Sequence, residues 1–285
     1  MSAAPDPRRH AWRADLADAA LRGLVSAPRY AEGEACKIIA PIAPLFAAPD
    51  AGAMRQTEAL SGEGFTVFDR ARGWCWGQSA VDGYVGYVAE DCLGPAGPEP
   101  GHYVAVPQAH VFSRPDIKSA PLARLPMLAR LALAGFEGDF AVLIGGGYMI
   151  ARHLRPMGES ADDYVAVAER FIDTPYLWGG RTSNGIDCSG LVQLALAAAG
   201  IAAPRDTDMQ AAELFAPAPP GTDGRNLRRG DLLFWKGHVG IISAPGRLLH
   251  ANGHHMLTVD EPLGAAIARI AATSGPPLGA RRAKP

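Results

Sequence analysis

The sequence predicts an α+β protein in which two small β-barrels precede a larger domain of mixed helices and strands. Three observations carry this reading. Residues 31–156 break into short β-branched and aromatic runs punctuated by Gly and Asp. Two segments inside that stretch, PIAPLFAAPD at 41–50 and PQAHVFSRPD at 107–116, agree at Pro41/Pro107, Ala43/Ala109, Phe46/Phe112, Pro49/Pro115 and Asp50/Asp116, a constant offset of 66. Beyond Ser160 the apolar spacing turns helical, and strand signals return only after residue 230.

Size and charge narrow the function classes. The 285 residues exceed one small domain. Hydrophobic residues at 48% and charged residues at 20% are ordinary for a globular protein, while Gly 33 and Pro 24 favour turns and short strands. A formal net charge of -2 gives no electrostatic footprint for nucleic acid or an anionic membrane. No run approaches the roughly 20 apolar residues of a membrane-spanning helix. Neither length nor composition sets an oligomeric state.

Residues 1–30 are expected as a helical extension, with 14–25 forming a short amphipathic helix packed on the body. Asp15 and Asp18 fall in this stretch, and it has no apolar core of the roughly 7–15 residues a secretory signal needs. The chain is therefore expected to be cytoplasmic. The first barrel is expected over 31–96, with strands at 65–68, 74–76 and 84–88, and Gly94 to Pro100 reads as a linker. The second barrel follows over 101–156, with strands at 140–144 and 148–151 around a Gly145-Gly146-Gly147 turn. An internal duplication of about 60–70 residues is the simplest account of the two.

The last domain is expected over 157–285. Ser160 followed by Asp163 resembles a capping box, and Tyr164, Val165, Ala168, Phe171 and Ile172 then keep helical spacing until Pro175. A second helix is expected from Cys188 to about Ala199, stopped by Gly200 and apolar nearly all round, hence buried. Strands follow at 231–235, 238–242, 248–251 and 256–259. Helices followed by strands make this domain α+β.

The chemistry concentrates here. Cys36, Cys75, Cys92 and Cys188 include no C-x-x-C pair and are expected as free thiols. Cys188 differs from the others because a Gly-rich loop (179–185) meets a helix start at Asp187-Cys188-Ser189-Gly190. Asp187 reads as the N-cap, which sets Cys188 in the first turn. The unpaired N–H groups and helix dipole there are expected to lower its thiol pKa and to hold an oxyanion. Taken alone, Cys188 reads equally as a small apolar filler. Two histidines shift the balance. In a hairpin centred on residues 244–245 paired positions sum to about 488–490, so His238 faces residues 250–252. His250 can then share a face with it and fix its tautomer, completing a nucleophile, base and orienter. His254-His255 reads as a surface turn.

These blocks resemble a known family, the NlpC/P60 cysteine peptidases. The resemblance covers roughly residues 160–270 and rests on Pro175-Tyr176-Leu177-Trp178-Gly179-Gly180, Asp187-Cys188-Ser189-Gly190-Leu191-Val192, Gly230-Asp231-Leu232-Leu233-Phe234, His238-Val239-Gly240-Ile241 and His250-Ala251. It implies a papain-like catalytic domain, and with it the preceding barrels resemble bacterial SH3-like domains. The layout is similar to the γ-D-glutamyl-L-diamino acid endopeptidases that carry such domains. By that resemblance Cys188 is the nucleophile, His238 the base, His250 the third polar residue and Tyr176 the hydroxyl at the oxyanion site. The implied substrate is a murein-derived peptide with a free N-terminal L-Ala. Asp187, Ser189 and Thr207 near the nucleophile and Glu63 and Tyr84 in the first barrel are the matching substrate-binding positions. Thr207 departs from the serine usual in that subgroup. No cofactor or metal is implied. Three other readings stand beside this one: a secreted endopeptidase acting on intact wall, a zinc site formed by Cys188, His238 and His250, and a non-catalytic binding protein.

Overall fold

The computed structural model describes residues 4–218 and 226–283, which form two compact units divided between Met157 and Gly158. The first unit opens with β1 (Trp12–Arg13), β2 (Leu16–Asp18) and β3 (Arg29–Ala31). The helix expected over 14–25 is not formed. Asp18 instead caps a single 3-10 turn by accepting the Ala20 N–H, and Gly23 takes φ +83° and turns the chain. Ala11 and Leu16 pack with Phe68, Trp76 and Val85, so the apolar residues serve a strand ladder on the first barrel. Tertiary burial has overridden local helical spacing.

The first barrel comprises β4 (Glu34–Ile38), β5 (Ile42–Phe46), β6 (Arg55–Leu60), β7 (Gly64–Ala71), β8 (Trp74–Ser79), β9 (Val85–Ala89) and β10 (Leu93–Pro95). Its strand order is β10-β4-β7-β8-β9-β5-β6. Gly94 and Pro95 pair with Lys37 and Cys36, so the stretch expected as a linker begins inside the closing strand. The second barrel comprises β11 (His102–Val104), β12 (Gln108–Phe112), β13 (Pro121–Pro126), β14 (Arg130–Leu131), β15 (Leu133–Glu137), β16 (Phe140–Leu143), β17 (Tyr148–Ile150) and β18 (Leu154–Pro156). The offset of 66 maps β5 onto β12 and β6 onto β13 end to end. It also maps the register shift at Leu45/Phe46 onto that at Val111/Phe112. Each barrel has its own core, around Ile38, Leu45 and Phe65 in the first and Val104, Leu125 and Met149 in the second.

The second unit starts with α1 (Tyr164–Glu169), capped by Asp163 accepting the Val165 N–H at 2.8 Å. The helix is shorter than its periodicity predicts and begins after Asp163, because that side chain caps and Ser160 does not. Next come β19 (Arg181–Thr182), β20 (Gly185–Ile186), α2 (Cys188–Ala198), α3 (Thr207–Glu213) and β21 (Ala216–Pro217). They are followed by β22 (Leu232–Trp235), β23 (His238–Ala244), β24 (Arg247–Asn252), β25 (Leu257–Pro262), α4 (Leu263–Ser274) and β26 (Gly279–Arg282). The main sheet runs β21-β26-β22-β23-β24-β25. Helix α2 is buried on nearly every side. On the sheet face that carries Leu233, Trp235, Ile242 and Leu248, α4 packs through Leu263 and Ala266. Strand alternation puts His238 and His250 on that same face.

Candidate active site

Cys188 sits where the sequence puts it, at the first position of α2. Asp187 Oδ1 accepts the Gly190 N–H at 2.7 Å and so caps the helix. Gly190 can be nothing larger, since a Cβ there would stand 2.3 Å from the Gly180 carbonyl oxygen. Asp187 Oδ2 accepts the Gly179 N–H at 2.8 Å and an Arg205 Nη2 proton at 2.7 Å. Arg205 also donates through Nη1 to Ser189 Oγ at 2.8 Å, and all three side chains are buried. Asp187 and Ser189 therefore spend their polar groups on holding the loop, the helix start and Arg205 together. Thr207 opens α3 with its Oγ1 4.0 Å from Cys188 Sγ.

The thiol is not the lowered-pKa group that a helix start alone predicts. Burial and the Asp187 carboxylate push Cys188 up to about 11, against the opposite pull of the Val239 N–H and the Thr207 hydroxyl. Burial above all, with the capping carboxylate adding to it, reverses the expected direction. Tyr176 is raised as well, through burial and the nearby Cys188 and Asp187. Its hydroxyl is therefore a proton donor at neutral pH.

The Val239 N–H contact brings the sulfur to the start of β23, whose first residue is His238. The hairpin register settles the meeting of the imidazoles. Ile241 pairs with Leu249 and Ile242 with Leu248, so positions sum to 490 and Gly240 lies opposite His250. A Cβ on Gly240 would come within 3.2 Å of His250 Cβ, so glycine leaves room for the ring to lean diagonally toward His238. His238 Nε2 and His250 Nδ1 are 2.8 Å apart. Burial drives His238 down to about 3 and lowers His250 too, so both rings are neutral. The thiol of Cys188 and the imidazole of His238 are thus both neutral at rest.

Sequence reasoning missed four residues. His250 Nε2 lies 2.7 Å from Glu261 Oε1 and 3.2 Å from Asn252 Nδ2. Arg269 on α4 forks onto Glu261, with Nη1 2.8 Å from Oε2 and Nη2 on Oε1. Arg205 is the fourth. A cavity of about 280 Å³ lined by Lys236, His238, His250, His254 and Arg269 opens beside the imidazoles. Glu63 and Tyr84 belong to the first unit. Glu63 is buried and its Oε2 accepts the Leu60 N–H at 2.9 Å, so it is a built-in part of its turn and not a solvated one. Tyr84 is buried, and its N–H donates to Asp82 at 3.1 Å. Among the described residues no cluster of His, Cys, Asp and Glu is arranged to hold a metal.

Residues 173–270 match the NlpC/P60 family, and residues 45–93 match the bacterial dipeptidyl-peptidase Sh3 domain. A gamma-D-glutamyl-L-lysine dipeptidyl-peptidase of Bacillus cereus is 28% identical over 69% of this chain and 67% of its own length. The enzyme of the same name from Bacillus subtilis is 28% identical over 52% of each chain, so the match spans about half of that relative. The crystal structure of an NlpC/P60 family protein from Bacillus cereus aligns with TM-score 0.74 at 22% identity, over 88% of this chain and 100% of that one. That likeness shows the fold.

Proposed function

Since the chain carries an NlpC/P60 cysteine peptidase domain and a bacterial SH3 domain, we propose that it hydrolyses the γ-D-glutamyl–diamino acid bond of murein peptides with a free N-terminal L-Ala, releasing L-Ala-γ-D-Glu. The observation that supports the proposal is the pair of contacts at the start of β23. There Cys188 Sγ meets the Val239 N–H, and the adjacent His238 is bonded to His250 at 2.8 Å. The names of the two Bacillus relatives support the bond and the substrate class.

The mechanism follows from the protonation states. As Sγ adds to the γ-glutamyl carbonyl carbon, His238 takes the thiol proton, so a buried ion pair exists only while charge also develops on the carbonyl oxygen. The Cys188 N–H in the first turn of α2 has no partner within the helix and, with the Tyr176 hydroxyl, stabilises that oxyanion. The C–N bond then breaks, His238 returns the proton to the leaving amine, and a thioester remains. Water deprotonated by His238 attacks the thioester and regenerates the thiol. His250 keeps the His238 ring in orientation throughout.

The test is cleavage of L-Ala-γ-D-Glu-diaminopimelate beside its N-acetylated form and intact murein, each with wild type and Cys188→Ala. Cleavage of the free-amine peptide alone, lost in the variant, is the expected result. Equal or better cleavage of murein would replace the reading with that of a wall endopeptidase. Thr207, with its Oγ1 4.0 Å from Cys188 Sγ, enters the proposal through the free-amine requirement, and a Thr207→Val variant that discriminates against the acetylated peptide as wild type does would remove it. The recycling role and a cytoplasmic place belong to the same proposal, and cell fractionation checks the latter.

A further inference from the structure

We propose that Glu261, clamped by Arg269, is a positioning residue that fixes which nitrogen of His250 and then of His238 carries the proton. The proposal rests on Cys188 and His238 being the reacting pair, but not on the identity of the substrate. The geometry at His250 Nε2 poses a choice between two neighbours that demand opposite protonation. Glu261 Oε1 at 2.7 Å can only accept, whereas Asn252 Nδ2 at 3.2 Å can only donate. Asn252 cannot turn its oxygen to the ring, because Oδ1 is held by the N–H groups of His254 at 3.1 Å and His255 at 2.9 Å.

The shorter, charge-assisted contact wins. The Arg269 fork holds Glu261 ionised, its carboxyl down at about 2. A lone pair on Nε2 facing that carboxylate at 2.7 Å would be repulsive. His250 therefore carries its proton on Nε2, and its Nδ1 is an acceptor. The 2.8 Å contact then requires His238 Nε2 to be the donor. The lone pair of His238 is left on Nδ1, the nitrogen free to take the thiol proton. Without the carboxylate the sequence of donors reverses. Asn252 would donate to His250 Nε2, His250 Nδ1–H to His238 Nε2, and His238 would hold its proton on Nδ1, where it cannot act as a base.

The pieces arrive together because of the fold. His250 pairs with Val259, so Glu261, two residues on, lies on the same sheet face and diagonal to the ring. That face is the one covered by α4, which brings Arg269 over it.

The experiment measures alkylation of Cys188 by iodoacetamide at pH 7, which needs no peptide substrate, in wild type, Glu261→Leu and Glu261→Leu/Asn252→Asp. Glu261→Leu, which leaves no acceptor facing His250 Nε2, is expected to slow alkylation at least about tenfold, toward the 10⁴-fold loss that a wrong tautomer costs a triad. Asn252→Asp returns an acceptor to His250 Nε2 while keeping the oxygen that holds the 254–255 turn. It is expected to restore at least half of the lost rate on a logarithmic scale, a rescue that a merely structural role would not produce. Imidazole ¹⁵N shifts of wild type, assigned against His238→Gln, decide the tautomer even if a variant folds poorly. A His238 proton on Nδ1, or alkylation unchanged in Glu261→Leu, would overturn the proposal. Loss of peptide cleavage with these results intact would instead overturn the substrate reading.

Discussion

At the scale of single residues, Asp187 and Arg205 show how the start of α2, where Cys188 sits, is held together. Asp187 satisfies two N–H groups and one guanidinium, and with its side chain only 7% exposed it depends on Arg205 for its counter-charge. Removing one member of a buried pair leaves the other charged in a poor solvent, at a cost of about 3–5 kcal/mol. Arg205→Leu is expected to destabilise the second unit by about that amount, read from hydrogen-exchange protection of the α2 amides. Arg205→Leu/Asp187→Asn is expected to lose less than the sum of the single changes, since it removes the orphaned charge. The placement of Cys188 at a helix start and the meeting of His238 with His250 were legible in the sequence because they follow from a helix cap and a hairpin register. Arg205 was not, since its partner lies 18 residues back with no periodic relation to it. Glu261 was not legible either. On a strand read alone it is an ordinary polar position, and only the diagonal to His250 and the helix above give it a partner. The direction of the Cys188 shift was misread for a related reason: the sequence identified the cap, but burial and the cap's own charge outweigh the helix dipole.

At the scale of elements, alternation and repetition were the readable signals, and helix lengths were not. The 66-residue offset, read as a duplication, relates β5 to β12 and β6 to β13 and carries one register shift onto the other, whereas the apolar spacing over 14–25 became short strands because Leu16 had a barrel to pack on. Since the two barrels have separate cores, Leu45→Ala should act locally. It is expected to cost about 2–5 kcal/mol in the first barrel and to leave exchange protection around Val104 and Met149 in the second unchanged. In the β23–β24 hairpin the critical element feature is the gap opposite His250. Gly240→Ala puts a Cβ 2.7 Å from Leu248 Cδ1 and 3.2 Å from His250 Cβ. Leu248 can yield by rotation, but His250 is tied at both nitrogens and can only shift. The expected outcome is a fall of about 10²-fold in kcat, the penalty for roughly 1 Å of misplacement, with KM within a factor of about two. Steady-state kinetics on the free-amine peptide would measure it.

For the whole molecule, the buried titrating groups set a pH window for stability. The folded pKa of His238 lies near 3 and that of His250 is also lowered, while an unfolded imidazole titrates near 6.5. Between those values the unfolded chain binds protons that the folded one refuses, so stability falls as pH drops below about 6.5. The slope approaches about 1.4 kcal/mol per pH unit for each histidine held neutral. Glu261 adds a second loss in a lower window. Its carboxyl sits at about 2, below the unfolded value, so its contribution is complete above about 4.5 and vanishes as pH falls toward 2. On the alkaline side Cys188 and Cys92 are raised to about 11 and Cys36 and Cys75 are raised as well. Above about pH 9 the unfolded thiols release protons that the folded ones keep, and stability falls again. Maximum stability is therefore expected between about pH 6.5 and 9. Exchange protection of α2 should decline from pH 6.5 to 4, and His238→Gln should flatten that decline because it deletes the group that refuses the proton. The same states govern rate: a base that is still neutral below pH 6.5 places the acid limb of kcat/KM below the ordinary histidine value. A standing thiolate–imidazolium pair would instead hold His238 charged at neutral pH, leave protection level from pH 8 to 5, and give Cys188 an alkylation rate already at its plateau at pH 7. Protection and alkylation measured across the same pH series separate the two arrangements.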